Sequence, residues 1–395
     1  MEAVNRPEGC SAHERTDPCQ SNEHVRHARP RQGCQELDCY LHGVVKLGAS
    51  DLHLKAGSPA RIRVDGELRT VQEEALPINQ LEKMVLGILS EDQRLQLLSD
   101  GAVDLAYDFR GAERFRINVF RQQAGLSLAA RHVVRDLPSF EALHLPPVIE
   151  AISEAREGLV LLAGITGSGK STTIASMLEH INRTRSAHIV TLEDPIEFLY
   201  EDKRSLVNQR EIGINVQDFP SALRSLMRQD PDVVLVGEMR DAETFRAALQ
   251  AAETGHLVFG TVHAASSTQT ISRVLDLFPE ESHRLARQSL VFNLKAIVCQ
   301  KLLASIASGV SRVPAVEVMV STPTVRKLIA EERDNDLIEV VRGGDEGMQS
   351  FTDSLVSLLE QELVDSGAAR EAAPNPEELN MRVKGIVTQQ SRILA

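Results

Sequence analysis

The sequence predicts an α/β protein in which a larger domain, built on a doubly wound parallel sheet, follows a smaller α+β domain. The chain has 395 residues, which is too many for one compact core. Before residue 137, apolar and polar residues alternate as in an antiparallel sheet with one solvated face. After residue 147, short apolar runs are separated by helical segments, the pattern of a parallel sheet buried on both faces.

The composition is that of a globular protein, with 42% hydrophobic and 25% charged residues. A net charge of −13 argues against a broad nucleic-acid-binding surface, because such surfaces are normally basic. Every apolar run is shorter than the ~18 residues of a membrane-spanning helix. The N-terminus also lacks the apolar core of a secretory signal. We therefore expect a cytoplasmic protein.

Residues 1–36 are predicted to be a disordered or non-native extension, because they contain almost no large apolar residues to offset the entropy of ordering. The cysteines and histidines near this end could form a metal site, but they lack the paired CxxC spacing of zinc sites. A solvated tail is the favoured interpretation. The candidate ligands are Cys10, Cys19, Cys34, Cys39, His13, His24 and His27.

The smaller domain is assigned to residues 37–136. Apolar spacing predicts helices at Leu41–Leu47 and Leu81–Leu98. Strict alternation predicts an antiparallel sheet with turns at residues 65–66 and at Gly125. The predicted strands are Asp51–Lys55, Arg61–Val64, Phe115–Val119 and Leu126–Val133.

Residues 137–147 contain three prolines and are the predicted linker. The larger domain is assigned to residues 148–370 and a C-terminal tail to residues 371–395. Its apolar runs predict the parallel strands of a RecA-like or related doubly wound core. These are Leu159–Ala163, His188–Leu192, Val233–Val236 and Leu257–Thr261. Beyond Phe278 we expect mainly helices, at Ser282–Leu303, Thr324–Glu332 and Gln349–Leu363.

The segment Gly164–Ser171 matches the phosphate-binding pattern GxxxxGK[ST] in full and lies between a predicted strand and a predicted helix, as this motif requires. Its glycines let backbone N–H groups turn towards phosphate oxygens, and the helix N-terminus adds partial positive charge. Lys170 is expected to bridge the β- and γ-phosphates of ATP, and Ser171 to bind Mg²⁺. The predicted nucleotide-binding residues are Gly164, Thr166, Gly167, Ser168, Gly169, Lys170, Ser171 and Thr172.

Acidic residues follow two of the predicted parallel strands. Glu238 comes after the third strand, as in a Walker B motif. It is expected to lie beside Lys170 and Ser171 and to orient the water shell of the Mg²⁺. Glu193 and Glu197 come at the end of the second, where a carboxylate can position an attacking water. Glu197 is the candidate for that role and Glu193 for its support. The alternative is an acidic loop exposed to solvent.

Histidines and arginines are the remaining candidates. His256 and His263 bracket the fourth strand, where they could sense a γ-phosphate or be hydrogen-bonded structural residues. Arginines also crowd one hairpin of the smaller domain. A solvated sheet face is the usual interpretation, and arginine fingers that reach a neighbouring subunit's nucleotide are the alternative. These residues are Arg114, Arg116, Arg121 and Arg131.

Seven motifs occur together in one order along residues 37–380. They are SDLHLKAGSPARIRVDGEL (Ser50–Leu68), GITGSGKSTT (Gly164–Thr173), TLEDPIEF (Thr191–Phe198), SLVNQREIG (Ser205–Gly213), DPDVVLVGEMRD (Asp230–Asp241), AETGHLVFGTVHA (Ala252–Ala264) and GMQSF (Gly347–Phe351). In this combination the chain resembles the PilT/PilU family of type IV pilus retraction (twitching motility) ATPases, within the secretion-ATPase superfamily.

The resemblance implies a homohexameric ring whose subunits each join a PAS-like N-terminal domain flexibly to the RecA-like ATPase domain. It implies hydrolysis of ATP with Mg²⁺ as cofactor. The implied partners are an inner-membrane pilus platform protein and a paralogous retraction ATPase, and the implied location is peripheral, at the inner membrane. The family's motifs carry over residue by residue. Lys170 and Ser171 fall in its Walker A motif and Glu238 in its Walker B motif. Glu193 falls in its Asp box together with Glu197, which matches the catalytic glutamate, and His256 and His263 fall in its His box. Arg116 and Arg131 match positions of trans-acting arginines.

Departures from the family pattern leave the main retraction motor and its accessory paralogue both open. TVRKLIAE at Thr324–Glu331 is a looser version of the family's AIRNLIRE motif. The segments Asn293–Leu303 and Ala373–Ile386 look like PilU, whereas Asp230–Asp241 looks like PilT.

Three other functions are weighed against this one. A pilus-assembly or type II secretion ATPase often carries a four-cysteine zinc insertion in its C-terminal domain, where this chain has only Cys299. A nucleic-acid motor is disfavoured by the acidic charge and the absence of Trp, so no nucleic acid is expected as a partner. The intact Lys170, Glu197 and Glu238 argue against a non-hydrolysing structural subunit.

Overall fold

The computed structural model describes residues 35–64, 66–109, 113–133 and 137–385. The chain divides into two compact units, with the boundary between His132 and Val133. Nearly all of the predicted extension lies outside the described residues, as does every metal-site candidate except Cys39. Within these ranges, no helix has the length and apolar character needed to cross a membrane.

The first unit is a six-stranded sheet in the order β3-β2-β1-β6-β5-β4. Its buried face and three helices share one hydrophobic core. Side chains of β4 alternate between buried and exposed, which confirms the alternation expected of a sheet with one solvated face. The elements are α1 (Gln35–Lys46), β1 (Asp51–Lys55), β2 (Pro59–Val64), β3 (Glu67–Ala75), α2 (Ile78–Ile88), α3 (Glu91–Asp100), β4 (Ala102–Phe109), β5 (Glu113–Gln122) and β6 (Gly125–Val133).

The helix predicted over Leu81–Leu98 is in fact two helices, α2 and α3. The break follows from a capping box at Ser90, which starts a new helix. The Ser90 hydroxyl accepts a hydrogen bond from the backbone N–H of Gln93, and the Gln93 side chain accepts one from the backbone of Ser90. Asp65 of the predicted hairpin turn lies outside the described residues.

The second unit is a larger α/β domain with helices on both faces of its sheet. Its elements are α4 (Val148–Ser153), β7 (Gly158–Ala163), α5 (Lys170–Thr184), β8 (His188–Glu193), β9 (Leu206–Glu211), α6 (Phe219–Leu226), β10 (Val233–Val236), α7 (Ala242–Glu253), β11 (Leu257–Val262), α8 (Ser267–Leu275), α9 (His283–Asn293), β12 (Leu294–Ala304), β13 (Arg312–Val320), α10 (Pro323–Ala330), α11 (Leu337–Gly343), α12 (Phe351–Glu360), α13 (Ser366–Ala372) and α14 (Pro376–Val383).

The sheet of the second unit runs in the order β13-β12-β7-β11-β10-β8-β9. Neighbouring strands in this sheet are parallel, except that β12 and β13 are antiparallel to each other. Strand β7 is buried throughout. Its Leu159 and Leu161 enter one hydrophobic core, while Val160 and Leu162 enter the core on the opposite face. The predicted doubly wound, RecA-like core is therefore confirmed.

The prediction of a helix over Ser282–Leu303 is wrong for the second half of that segment. Helix α9 ends at Asn293, and β12 begins at Leu294 and lies between β7 and the edge strand β13. Five consecutive residues of β12, from Ala296 to Gln300, are buried. A continuous apolar run does not show whether it is a strand or a helix, because it has no polar face to reveal the period. Strands β9 and β13 were not predicted.

The predicted linker and tail both contain residues that pack into the second unit. Phe140 and Leu145, in the segment predicted as the linker, are buried in one of its cores. Helix α14 extends into the predicted tail, and its Leu379 is buried in the other core. The ends of the linker and of the tail stay predictions.

Candidate active site

The predicted phosphate-binding loop connects the end of β7 to the start of α5. Gly164, Gly167 and Gly169 have φ angles of 152°, 78° and 89°, values that favour glycine because it has no Cβ. The Lys170 ammonium donates hydrogen bonds to the carbonyl oxygens of Gly164 at 2.8 Å and Ile165 at 3.0 Å. Burial lowers the pKa of Lys170, whereas the negative charges of Glu238 and Glu197 act in the opposite direction.

The loop fits a phosphate group. A Cβ at Gly164 would lie 2.5 Å from Ser168 Oγ and 2.6 Å from the Gln300 carbonyl oxygen, so the backbone turns where no side chain could fit. The Ser168 hydroxyl is buried and has no hydrogen-bond partner among the described residues. The N–H groups at the start of α5 also provide partial positive charge for an anion.

Two acidic strand ends lie side by side next to the loop. Strands β8 and β10 pair in parallel, with Leu192 opposite Val236, so their carboxyl ends meet at one edge of the sheet. The Gly237 N–H donates to the Leu192 carbonyl oxygen at 2.8 Å. A Cβ at Gly237 would lie 3.1 Å from that oxygen and 3.2 Å from Glu193 Cα. A glycine before Glu238 therefore permits the close approach of the two strand ends.

Glu238 is held between two cationic or polar side chains. Its Oε1 lies 2.5 Å from Arg240 Nε and 3.1 Å from His263 Nε2. Burial raises the pKa of Glu238, but the hydrogen bonds and charges of Arg240 and His263 outweigh it and lower the pKa below its ordinary value. Glu238 is therefore ionised at neutral pH, which is the state that magnesium binding requires of a carboxylate.

Glu193 is the most buried carboxylate of the site, with 9% of its surface exposed. Burial raises its pKa to about 7, and the negative charge of Glu197 adds to the increase, whereas a hydrogen bond to the Glu197 backbone acts against it. Hydrogen bonds from Thr191 Oγ1 at 2.6 Å and Gln209 Nε2 at 3.3 Å act against this increase. A buried acid next to a second acid suits a role in proton transfer or in orientation of its neighbour.

A cavity of about 430 Å³ joins these groups at the carboxyl edge of the parallel sheet. This edge is where open α/β sheets bind their ligands. Of the residues predicted from the sequence, it is lined by Thr166, Gly167, Ser168, Gly169, Lys170, Ser171, Thr172, Glu193, Glu197, Glu238 and His263. The structure thus brings the phosphate-binding loop and all three predicted glutamates to one site.

The sequence and the described fold have close counterparts among known proteins. A family model described as "Type II/IV secretion system protein" matches residues 34–313, more than half of the chain. The chain belongs to this family. The Pseudomonas aeruginosa type IV pilus retractation ATPase PilT is 44% identical over 333 residues, which cover 84% of this chain and 96% of that protein. The type IV pilus ATPase PilU of the same organism is 34% identical, over 88% of this chain and 91% of that protein.

A solved structure supports the same placement. The crystal structure of the pilus retraction motor PilT with bound ADP matches with a TM-score of 0.81 and 41% identity, over 87% of this chain and 98% of that one. Sequence identity at this level, over nearly the full length of these relatives, assigns the chain to the PilT/PilU branch of the family. The chain is therefore an ATPase with a secretion-ATPase fold.

The structure does not bring His256 into this ATPase site, although the sequence interpretation grouped it with His263. His256 precedes β11 and His263 follows it, so the two lie on the order of 20 Å apart along an extended strand. The Nδ1 atom of His256 lies 2.9 Å from the Ala251 carbonyl oxygen and 3.1 Å from Thr254 Oγ1. These contacts are those of a hydrogen-bonded residue outside the cavity, and a role of His256 in sensing the γ-phosphate stays a prediction.

Arg116 and Arg131 belong to the first unit, on β5 and β6. The Arg131 Nε donates to Asp51 Oδ1 at 2.8 Å, and Arg116 lies 3.9 Å from Asp104. About 71% of the Arg131 side chain is exposed in spite of its ion pair. A trans-acting role for these arginines stays a prediction.

Among the residues that the sequence interpretation did not single out, Arg240 lines the cavity and Gln300 lies beside it. Arg240 lies in the quoted segment DPDVVLVGEMRD, and its position two residues after Glu238 was a usable signal. Gln300 lies behind the phosphate-binding loop on β12. It was hidden because its strand was taken for a helix.

Proposed function

We propose that this chain is an ATP-hydrolysing, hexameric motor that powers type IV pilus retraction by acting on an inner-membrane pilus platform. The observation that carries the proposal is the cavity where Lys170, Glu197 and Glu238 meet, in a chain 44% identical to a retraction ATPase over most of its length. The motor works in the cytoplasm, at the face of the inner membrane.

The charged residues of the cavity have separate tasks in this proposal. Lys170 and the loop N–H groups would hold the β- and γ-phosphates of ATP, and Ser171 and Glu238 would hold Mg²⁺. When bound, this ion neutralises negative charge that develops on the phosphoryl group. Glu197 orients the attacking water and accepts its proton. Glu193 supports that glutamate from the buried end of β8.

The site is completed by a neighbouring subunit of the ring. Arg116 and Arg131 of that neighbour contact the phosphates, since arginine binds phosphate oxygens bidentately. Hydrolysis then releases the contact between subunits, and a hinge motion of the domains transmits the work to the platform. ATPase activity therefore depends on ring assembly.

Identity favours the main retraction motor over the accessory paralogue, because the chain is 44% identical to PilT and 34% identical to PilU. A paralogous retraction ATPase is a partner of the motor in this scheme. The accessory role is the second candidate, supported by the PilU-like segments at Asn293–Leu303 and Ala373–Ile386.

The test is deletion of the chain in its own cell, scored for surface pili and twitching. Excess pili that do not retract are expected, with recovery on complementation by the unaltered chain and not by Lys170→Ala. Complementation by Lys83→Ala is the matched control, because Lys83 is an exposed lysine of α2 outside the quoted motifs. A loss of surface pili would instead indicate an assembly motor.

A further inference from the structure

Gln300 lies directly beside the phosphate-binding loop. Strand β12 pairs with β7 in parallel, with Cys299 opposite Ala163, so Gln300 is next to Gly164 where the loop begins. Only 3% of Gln300 is exposed, which places a polar amide in the interior of the sheet. A buried amide is costly unless it is hydrogen-bonded, so its presence needs a physical reason.

One end of the Gln300 amide is bound to α5. The hydroxyl of Thr173, which is fully buried in the first turn of the helix, donates to Gln300 Oε1 at 2.9 Å. The backbone N–H of Thr173 donates in turn to the Gly169 carbonyl oxygen at 3.0 Å. Gln300 is thus connected to the turn of α5 that carries Lys170 and Ser171.

The rest of Gln300 fits against the two ends of the loop. A Cβ at Gly169 would lie 2.6 Å from Gln300 Nε2, and a Cβ at Gly164 would lie 2.6 Å from the Gln300 carbonyl oxygen. Real Cβ atoms do not approach other atoms this closely. The two glycines and Gln300 therefore form one closely packed unit, in which the amide defines the floor of the loop.

We propose that Gln300 is a positioning residue that sets the geometry of the phosphate-binding loop and so the affinity for nucleotide. It fixes Gly164, Gly169 and the first turn of α5 relative to one another, so that the N–H groups of the loop converge on the phosphates. An apolar residue of similar volume would fill the space without holding Thr173. This inference rests on the proposed binding of ATP at the loop.

The experiment compares the dissociation constants of ADP and of ATP with Mg²⁺, by titration calorimetry on the full chain. Gln300→Met keeps the volume and removes both polar ends of the amide. We expect its Kd for both nucleotides to increase roughly tenfold, equivalent to about 1.4 kcal/mol, the order of one buried hydrogen bond. Thr173→Val removes only the donor to Oε1 and should increase Kd by about threefold.

The double variant distinguishes a coupled pair from two separate effects. If Thr173 acts through Gln300, the combined substitution should bind nucleotide no more weakly than Gln300→Met alone. Val298→Ala is the control for a general loss of packing, since Val298 is a fully buried residue on the same face of β12. It should lower the melting temperature and leave Kd within about twofold of the unaltered chain.

Two results would overturn the inference. One is an unchanged Kd in Gln300→Met, or in Thr173→Val if the first variant does not fold. The other is an equal increase of Kd in Val298→Ala, which would attribute the effect to packing alone. Failure of the proposed nucleotide binding has a different signature, because the unaltered chain would then bind neither nucleotide.

Discussion

Replacement of Gly169 by alanine tests the geometry of the phosphate-binding loop quantitatively. At a φ of 89° a residue with a Cβ is strained by about 1–2 kcal/mol. The added Cβ would also lie 2.6 Å from Gln300 Nε2, so the amide must move away from Thr173. Loss of that buried hydrogen bond costs about 1 kcal/mol more. We therefore expect the free energy of unfolding to fall by about 2–3 kcal/mol.

Two other glycines separate these contributions. Gly167 has a φ of 78° but nothing within 4 Å of an added Cβ, so Gly167→Ala should show only the backbone strain. Gly343→Ala, in α11 and without crowding, should change stability by less than about 0.5 kcal/mol. The chain has no Trp, so denaturant unfolding is followed by far-UV circular dichroism. Equal stabilities of the Gly169 and Gly167 variants would refute the contribution assigned to Gln300.

Further predictions concern the acidic and histidine groups of the site. Burial raises the pKa of Glu193 to about 7 in the folded chain, so the folded state keeps a proton that the unfolded state releases. Its contribution to stability is fully present below the unfolded pKa and is lost as pH increases towards 7, by at most about 3 kcal/mol. Glu193→Gln should remove this decline in denaturation measured across that range. His263→Ala should lower kcat for ATP, because it removes a hydrogen bond to Glu238, whereas His256→Ala should leave kcat within about twofold.

Periodicity and turn chemistry predicted most of the strands that build the site. The runs that became β7, β8, β10 and β11 are short, apolar and bounded by turn residues, which is sufficient for strands buried on both faces. The loop motif then fixed the order of strand, loop and α5. The candidate glutamates followed from the rule that ligands bind at the carboxyl edge of a parallel sheet.

The failures have equally specific causes. Strand β12 follows α9 with no intervening loop, and its apolar run continues the helical pattern, so nothing local marks Leu294 as a boundary. The break at Ser90 was detectable, since Ser90 and Gln93 have the spacing of a capping box. The distance between His256 and His263 follows from strand direction, because a residue before a parallel strand lies at the amino end of that strand.

Gln300 could not have been found from its own sequence. Its role depends on a pairing between β12 and β7, which are far apart in the chain, and on the missing Cβ atoms of Gly164 and Gly169. Such long-range contacts leave no periodic signal in a single sequence.

The most direct test of the central claim is ATP turnover by the purified full-length chain and its variants. The account predicts turnover by the unaltered chain that is lost in Lys170→Ala and in Glu197→Gln, because these remove phosphate binding and water activation. Lys83→Ala, which changes an exposed lysine of α2 outside the cavity, should retain that turnover. A rate for the unaltered chain no higher than that of Lys170→Ala would contradict the account.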